Sequence, residues 1–386
     1  MVAVSDEDLF EDELDPSGPP LASERAFAES KTESKHEPED QPRSLPRKTL
    51  DDRAALWGSA LGAVAFVWVI YEHVLMWSGT LGLIVCVWGV FVALYFAVSL
   101  SAHPMPIVID RMAAVVAASG ALLIGFALAT TIISTFVKGW PAVHHLNFYL
   151  HDMGGVSPGT DPLNRGGVRH AMIGSAIEAG IATLISLPLG LGTAIYLSEI
   201  GGRSTTLIRT VVEAMTALPD ILAGLFVYVL MVILLGLEKS GFAVAIALSV
   251  TMVPIIARSA EVALRVVPSG LREASLALGS SRWQTVWRVV LPTARSGLAT
   301  ALILGIARIT GETAPLLIVS AANTFTNVNP LHEPMNSLPL YIYSGVRSGQ
   351  PLFISRAYGA ASLLLVLVLV LFIITRLLAR KRGRRS

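Results

Sequence analysis

Two charged residues stand inside an apolar run, Arg308 and Glu312, within the segment 302–315. An ionised group in hydrocarbon is costly and persists where it meets a partner, a water-filled path or a solute. Spaced four apart, the two share a helix face and can pair. Thr310 and Thr313 add hydroxyls, Gly305 and Gly311 allow close helix approach, and Pro315 frees a backbone carbonyl one turn earlier. The guanidinium fork matches the oxygens of a tetrahedral oxyanion. Arg308 and Glu312 therefore read either as a site that meets such an anion or as an ion pair that pins two helices. Arg258 closes another apolar run and either faces the same path or snorkels to lipid headgroups. Glu178, in Gly174–Gly180, should face the protein interior or water. Glu213 and Asp220, around Pro219, read as residues that cap or kink a helix, with no chemistry assigned.

A second group of charges is amphipathic. Pro268-Ser269 starts a short helix with Ser269 as N-cap, and Gly279 can close it in a left-handed conformation. Ser280 or Ser281 caps a second helix, which Leu291-Pro292 should end. Two short helices joined by a glycine turn between apolar runs form a shape that something outside the bilayer could grip. The sequence holds no Gly-x4-Gly-Lys-Ser/Thr phosphate loop, His-Glu-x-x-His, cysteine pair or Gly-x-Ser-x-Gly. His144, His145, His151 and His170 cluster without metal-ligand spacing and read as solvated loop residues. A membrane enzyme is thereby disfavoured. If the chain moves a solute uphill, the energy comes from an ion gradient or from another subunit, and the amphipathic loop favours the subunit.

The elements that position these residues follow from composition. Of 386 residues, 53% are hydrophobic and 15% charged, the balance of an all-α polytopic membrane protein. A net charge of +1 implies no nucleic-acid partner, and Cys86, alone, can form no internal disulfide. The acidic, Ser- and Pro-rich tail 1–55 is expected to be disordered. Eight apolar runs follow at 56–77, 79–100, 112–136, 171–197, 211–236, 242–257, 296–321 and 358–378, each near the length that crosses a bilayer. The first two form a hairpin at 56–103. Eight crossings put both termini on one side, and the basic end 380–385 makes that side cytoplasmic. The loops 198–210 and 258–295 carry arginines and fall inside, whereas 137–170 and 322–357 fall outside, as connectors or as a surface for an extracytoplasmic partner.

One pattern in the amphipathic loop is specific. Glu273-Ala274-Ser275, three residues, Gly279, nine residues, then Val289-Val290-Leu291-Pro292 resembles the EAA loop of binding-protein-dependent ABC importer permeases. Its departures, Ser275 for Ala and Val289 for Ile, are conservative. Segments 174–175, 190–199, 224–228, 264–274, 311–317 and 334–339 are similar to the phosphate-specific branch of that family, and the resemblance covers about 112–380. It implies a six-helix type I (MetI-like) core at 104–386, with the hairpin 56–103 and the tail as additions. It also implies a bacterial inner-membrane location, a PstC-like second permease, two PstB-like ATPases that hold ATP and Mg, and a PstS-like phosphate-binding protein, with no cofactor in this chain. Arg272, Glu273, Ala274, Ser275, Gly279, Leu291 and Pro292 would couple to the ATPase, while Arg258, Arg308 and Glu312, with Thr310 and Thr313 beside them, would serve anion passage. The alternatives are a permease for molybdate or sulfate, or a gradient-driven carrier or channel. Glu178 departs from the branch, and near the path it would repel an anion, so it is expected to face a neighbouring helix.

Overall fold

The computed structural model describes residues 50–74 and 79–380, so most of the acidic tail and the basic end lie outside the described residues. The chain divides into two compact units, one ending at Ala121 and one from Leu122 onward. Among the described residues every regular element is helical.

In the first unit, α1 (Leu50–Trp68) begins inside the segment expected to be tail and continues through a wide π-helical turn at Val69–Val74. It packs against α2 (Thr80–Ala102) as a hairpin. The Tyr71 hydroxyl closes the turn by donating to the Gly79 carbonyl at 2.9 Å. Arg111, early in α3 (Met105–Val143), pairs with Asp52 at 2.6 Å. Trp57, Leu61, Leu81 and Ile84 are exposed, as lipid-facing residues are.

The second unit is built on α8 (Gly241–Arg265), whose Ala243, Ala245, Ala247 and Met252 are buried. Ser240 caps it by accepting from the Ala243 N–H. α5 (Arg169–Ile195) runs along it at short range: a Cβ added to Gly190 would lie 2.8 Å from Ile256. Small residues let helices approach where hydrophobicity alone cannot drive them together. A short α4 (Asn147–Leu150) precedes α5. α13 (Leu338–Arg347) and α14 (Pro351–Arg380) end the chain.

Other expected boundaries differ as well. The run 211–236 is not one straight span: α6 (Thr205–Ala217) and α7 (Asp220–Val227, then a π-helical stretch to Leu234) meet at 102°. Pro219 cannot donate to the preceding turn, so the helix stops and restarts. Among the described residues seven helices are long and apolar enough to cross a membrane, and eight if this bent pair crosses as one. The run 296–321 is also broken. α11 (Leu291–Thr310) stops before Gly311-Glu312-Thr313, and α12 (Ala314–Val319) restarts with proline in its first turn. α12 lies against α7 so closely that a Cβ on Gly224 would sit 2.6 Å from the Pro315 Cα.

Leu291-Pro292, expected to end a helix, lies instead inside a continuous one from Arg282 to Thr310. α10 (Arg282–Thr285) passes through a π-helical turn at Val286–Val290 into α11. The wider turn accommodates a proline that offers no N–H. Ser269 is likewise the first helical residue of α9 (Ser269–Ala277), after Pro268 as N-cap, and caps nothing with its side chain.

The long loops are tied by polar groups. Arg356, 1% exposed, donates to the carbonyls of Asp161 (3.1 Å), Pro162 (2.8 Å) and Arg165 (3.0 Å), and also to Pro158. Asp152 joins 137–170 to 322–357 by accepting from the Thr326 N–H and hydroxyl, each at 3.0 Å, and it also accepts from the Gly154 N–H. Burial pushes the Asp152 carboxyl up, but these hydrogen bonds and the neighbouring His170 outweigh it and hold the group below its usual range. A lowered folded-state pKa gives stability that is present above the unfolded value and lost as pH falls through the folded one. Amide exchange at 323–327 should therefore show protection relative to an Asp152→Ala variant at neutral pH, shrinking to nothing in acid. Equal protection in the two proteins at neutral pH would remove the tie.

Candidate functional site

The elbow between α6 and α7, the middle of α8 and the last turns of α11 enclose an open cavity of about 340 Å³. Asp220, Thr251, Ile255, Leu304 and Arg308 face it. Arg308 donates to Asp220 at 3.2 Å, and its Nε stands 3.2 Å from the Glu312 carboxylate. The Thr251 hydroxyl donates to the other Glu312 oxygen at 3.2 Å. Exposure separates the two acids: the side chains are 7% exposed for Glu312, 35% for Asp220 and 55% for Arg308. Glu312 is thus the buried partner of the guanidinium, and Asp220 is the more exposed one. Glu312 stands just beyond the helix end, yet the pairing expected from four-residue spacing forms.

Arg258 lies on the face of α8 that carries Thr251 and Ile255, one turn further along. It pairs with Glu213 at 3.3 Å, with both side chains about half exposed. The elbow therefore supplies an acid to each arginine, Glu213 before the bend and Asp220 after it. Sequence reading assigned these acids no role. A signal existed in two acids placed either side of Pro219 opposite two membrane arginines, but the 102° bend that aims them could not be read. Thr310 is not brought to this cavity: it is buried, donates to the Ile306 carbonyl at 2.6 Å, and borders a separate small cavity beside Glu178. Thr313 is half-buried where α12 starts. Glu178 is 1% exposed and sits between helices, as expected. His170, expected to be a solvated loop residue, is 2% exposed in the first turn of α5.

Residues 186–384 match the family described as "Binding-protein-dependent transport system inner membrane component". A phosphate transport system permease protein PstA 1 of Mycobacterium tuberculosis is 40% identical over 232 residues, covering 60% of this chain and 75% of that one. The Haemophilus influenzae PstA is 39% identical over 218 residues, covering 56% and 77%. The chain belongs to the PstA permease family. A crystal structure of a bacterial alginate ABC transporter, in complex with an alginate pentasaccharide-bound periplasmic protein, contains a chain with the same fold. It has a TM-score of 0.50 at 14% identity and covers 72% of this chain and 97% of that one. The all-helical, MetI-like permease fold expected from the sequence is the one found.

In this PstA-family chain the EAA segment is held by one residue above all. Arg272 clasps Glu199 with two bonds, at 3.0 and 2.8 Å, and also donates to the carbonyls of Leu264 (2.9 Å) and Val267 (2.6 Å). Glu199 lies in a π-helical turn, Tyr196–Ile200, at the end of α5. Arg272 thus ties the loop to both α5 and α8. Gly279, at φ 83°, turns the chain where another residue would be strained. Ser281 and Gln284 form a capping box at 3.2 and 3.0 Å, and the Ser275 and Thr285 hydroxyls are 2.9 Å apart. Glu273, Ala274, Gly279 and Pro292 are exposed, while Ser275 and Leu291 are half-buried. Trp283 and Trp287, edge to face at 5.7 Å and more than half exposed, add an apolar surface that motif spacing did not mark.

Proposed function

We propose that this chain forms half of the translocation pathway of an ATP-driven phosphate importer in the bacterial inner membrane, with both termini cytoplasmic. The observation that carries this reading is Arg308, half-exposed in a cavity and held by one buried and one exchangeable acid. With both acids ionised the trio carries one positive and two negative charges. A phosphate oxygen pair that replaces Asp220 on the guanidinium keeps the charge-assisted bonds and leaves Glu312 as the orienting partner. Arg258 offers the next positive charge along α8 and exchanges Glu213 in the same way.

The chain carries no nucleotide site of its own, so the motor is a pair of ATPase subunits gripping 269–292. Exposed Glu273, Leu278, Trp283 and Trp287 form the docking surface, and Arg272 carries its displacement to α5 and α8. A second permease completes the pathway, and loops 137–170 and 322–357 meet an extracytoplasmic phosphate-binding protein. Helices α1 and α2 are an added hairpin, the bent α6–α7 pair crosses as one span, and eight crossings result.

Labelling tests the pathway. Ile255→Cys, in a chain whose Cys86 is replaced by Ala, should react with a water-soluble thiol reagent, and phosphate should slow the reaction while chloride does not. Molybdate or sulfate protecting better than phosphate would reassign the substrate. Failure of every anion to protect would remove this cavity from the pathway.

A further inference from the structure

α5 and α13 meet along a seam of polar side chains that lack hydrogen-bond partners. His170, Glu178, Ser337 and Tyr341 are 2%, 1%, 1% and 3% exposed. Both ring nitrogens of His170, one Glu178 oxygen and the hydroxyls of Ser337 and Tyr341 find no acceptor or donor in the protein. These groups are ordered in space. His170, Gly174 and Glu178 recur at four-residue spacing on one face of α5. Ser337 stands at the N-cap of α13 and Tyr341 follows one turn on, its ring edge-to-face with His170 at 5.4 Å. Between them the backbones come close: a Cβ on Gly174 would lie 1.9 Å from the Asn336 carbonyl oxygen, and the Leu338 N–H donates to Ser175 at 2.8 Å.

Glu178 ends the row at a cavity of about 10 Å³, shared with Ser175, Ser337 and Thr310. That is about the room one water needs, and its walls offer the polar partners a buried water requires. Buried polar groups are almost always paired with protein or with ordered water. The cavity at Glu178 is a place for one such water, and the unpaired groups along the seam offer partners to any that pass. At the other end of the row, near His170, lies Asp152 of loop 137–170, which accepts from Thr326 of 322–357.

The charged and titratable groups around Glu178 leave it no counter-ion. Its own helix offers His170. α8 presents apolar Leu248 to the cavity. Arg308 and Glu312 flank Thr310, but Arg308 is engaged by Glu312 and by Asp220 of the elbow. α13 offers Tyr341, and Arg356 of α14 is saturated by loop carbonyls. An unpaired carboxylate is not tolerated in such a place, whereas a carboxylic acid is.

We propose that Glu178 is a proton-binding site reached from the outer face by a hydrated path along the α5–α13 seam. The inference rests on the orientation proposed above. The step is simple: an O–H bond forms at the Glu178 carboxylate as hydronium at the Asp152–His170 end returns to water. The reverse step breaks that bond and gives the proton back. The mid-membrane carboxyl then shares its small cavity with Thr310, on the last turn before the break that carries Glu312, so proton occupancy is placed to influence how that break is held.

Infrared difference spectroscopy of the purified transporter in lipid, on switching from water to heavy water, is the test. The wild type should show a protonated-carboxyl carbonyl band that shifts on exchange and is missing in Glu178→Gln, a near-isosteric change. No such difference would overturn the proton site. The pair Ser337→Ala and Tyr341→Phe, which removes the hydroxyls that hold the waters, should slow exchange of that band severalfold, and an unchanged rate would overturn the seam as its route. Cysteine labelling of loop 137–170 from either side of intact vesicles reads the orientation separately. A loop found inside with the band intact moves the path's mouth to the cytoplasm and overturns entry from the outer face.

Discussion

Replacing Arg308 by Gln is expected to cut phosphate uptake roughly a hundredfold while leaving the complex assembled. The reason lies in what remains. Gln keeps a polar head on a shorter stem but leaves Glu312, with a 7% exposed side chain, without its cation, and leaves Asp220 facing the same cavity. An anion arriving there loses a charge-assisted fork and meets two acids. Removing one member of such a hydrogen-bonded charge set costs about 3 kcal/mol, which converts to roughly a hundredfold in rate or occupancy. Uptake of labelled phosphate into proteoliposomes holding the full transporter measures it. Asp220→Asn is the informative companion: it weakens only the exchangeable partner, so uptake should stay within a few-fold of wild type. Near-normal uptake in Arg308→Gln would return Arg308 and Glu312 to the role of an ion pair that pins helices.

Arg272→Ala should uncouple the transporter. Its guanidinium is the fastening between the EAA loop and two helices, through two bonds to Glu199 and two to carbonyls of α8 and the residues after it. The pair is partly shielded, with side chains 23% and 6% exposed, so its loss costs less than a fully buried break, about 2–3 kcal/mol. The expected result is ATP hydrolysis that persists while phosphate moved per ATP falls at least tenfold. Arg272→Lys should not restore it, because an ammonium cannot make the planar fork. Arg265→Ala is the contrast. That side chain is 57% exposed in its pair with Glu261, where an ion pair contributes little, and coupling should be nearly unchanged. Equal phosphate per ATP in Arg272→Ala and wild type would dissociate the clasp from coupling.

What could be read from the sequence, and what could not, divides along a physical line. Glu273, Gly279 and Arg308–Glu312 were legible because fixed spacing along one helix or turn sets their geometry. The apolar runs were legible because composition alone decides whether a segment tolerates hydrocarbon. Directions were not. A hydropathy window sees 211–236 as one span, since a 102° bend changes no residue's polarity. The partners of Arg258 and Arg308 come from that bend, so Glu213 and Asp220 stayed without a role. Pro292 misled for a related reason: proline ends a regular α-helix, but a π-helical turn just before it gives the chain a way through. The buried place of His170 was hidden because the Tyr341 ring that packs against it comes from α13, far along the chain.

The unbroken helix from Arg282 to Thr310 makes the exposed tryptophan surface and Arg308 two ends of one shaft. Each α-helical residue turns the shaft by about 100°, and the π-helical turn at Val286–Val290 is a phase insertion in it. Its angular offset sets which side chain points at the cavity for a given direction of the exposed Trp283 and Trp287. A chain one residue shorter there would keep the same hydropathy, caps and EAA spacing up to the deletion, yet would swing Arg308 about a quarter-turn out of the cavity. The cavity is therefore indexed to the EAA surface by residue count as well as by residue type.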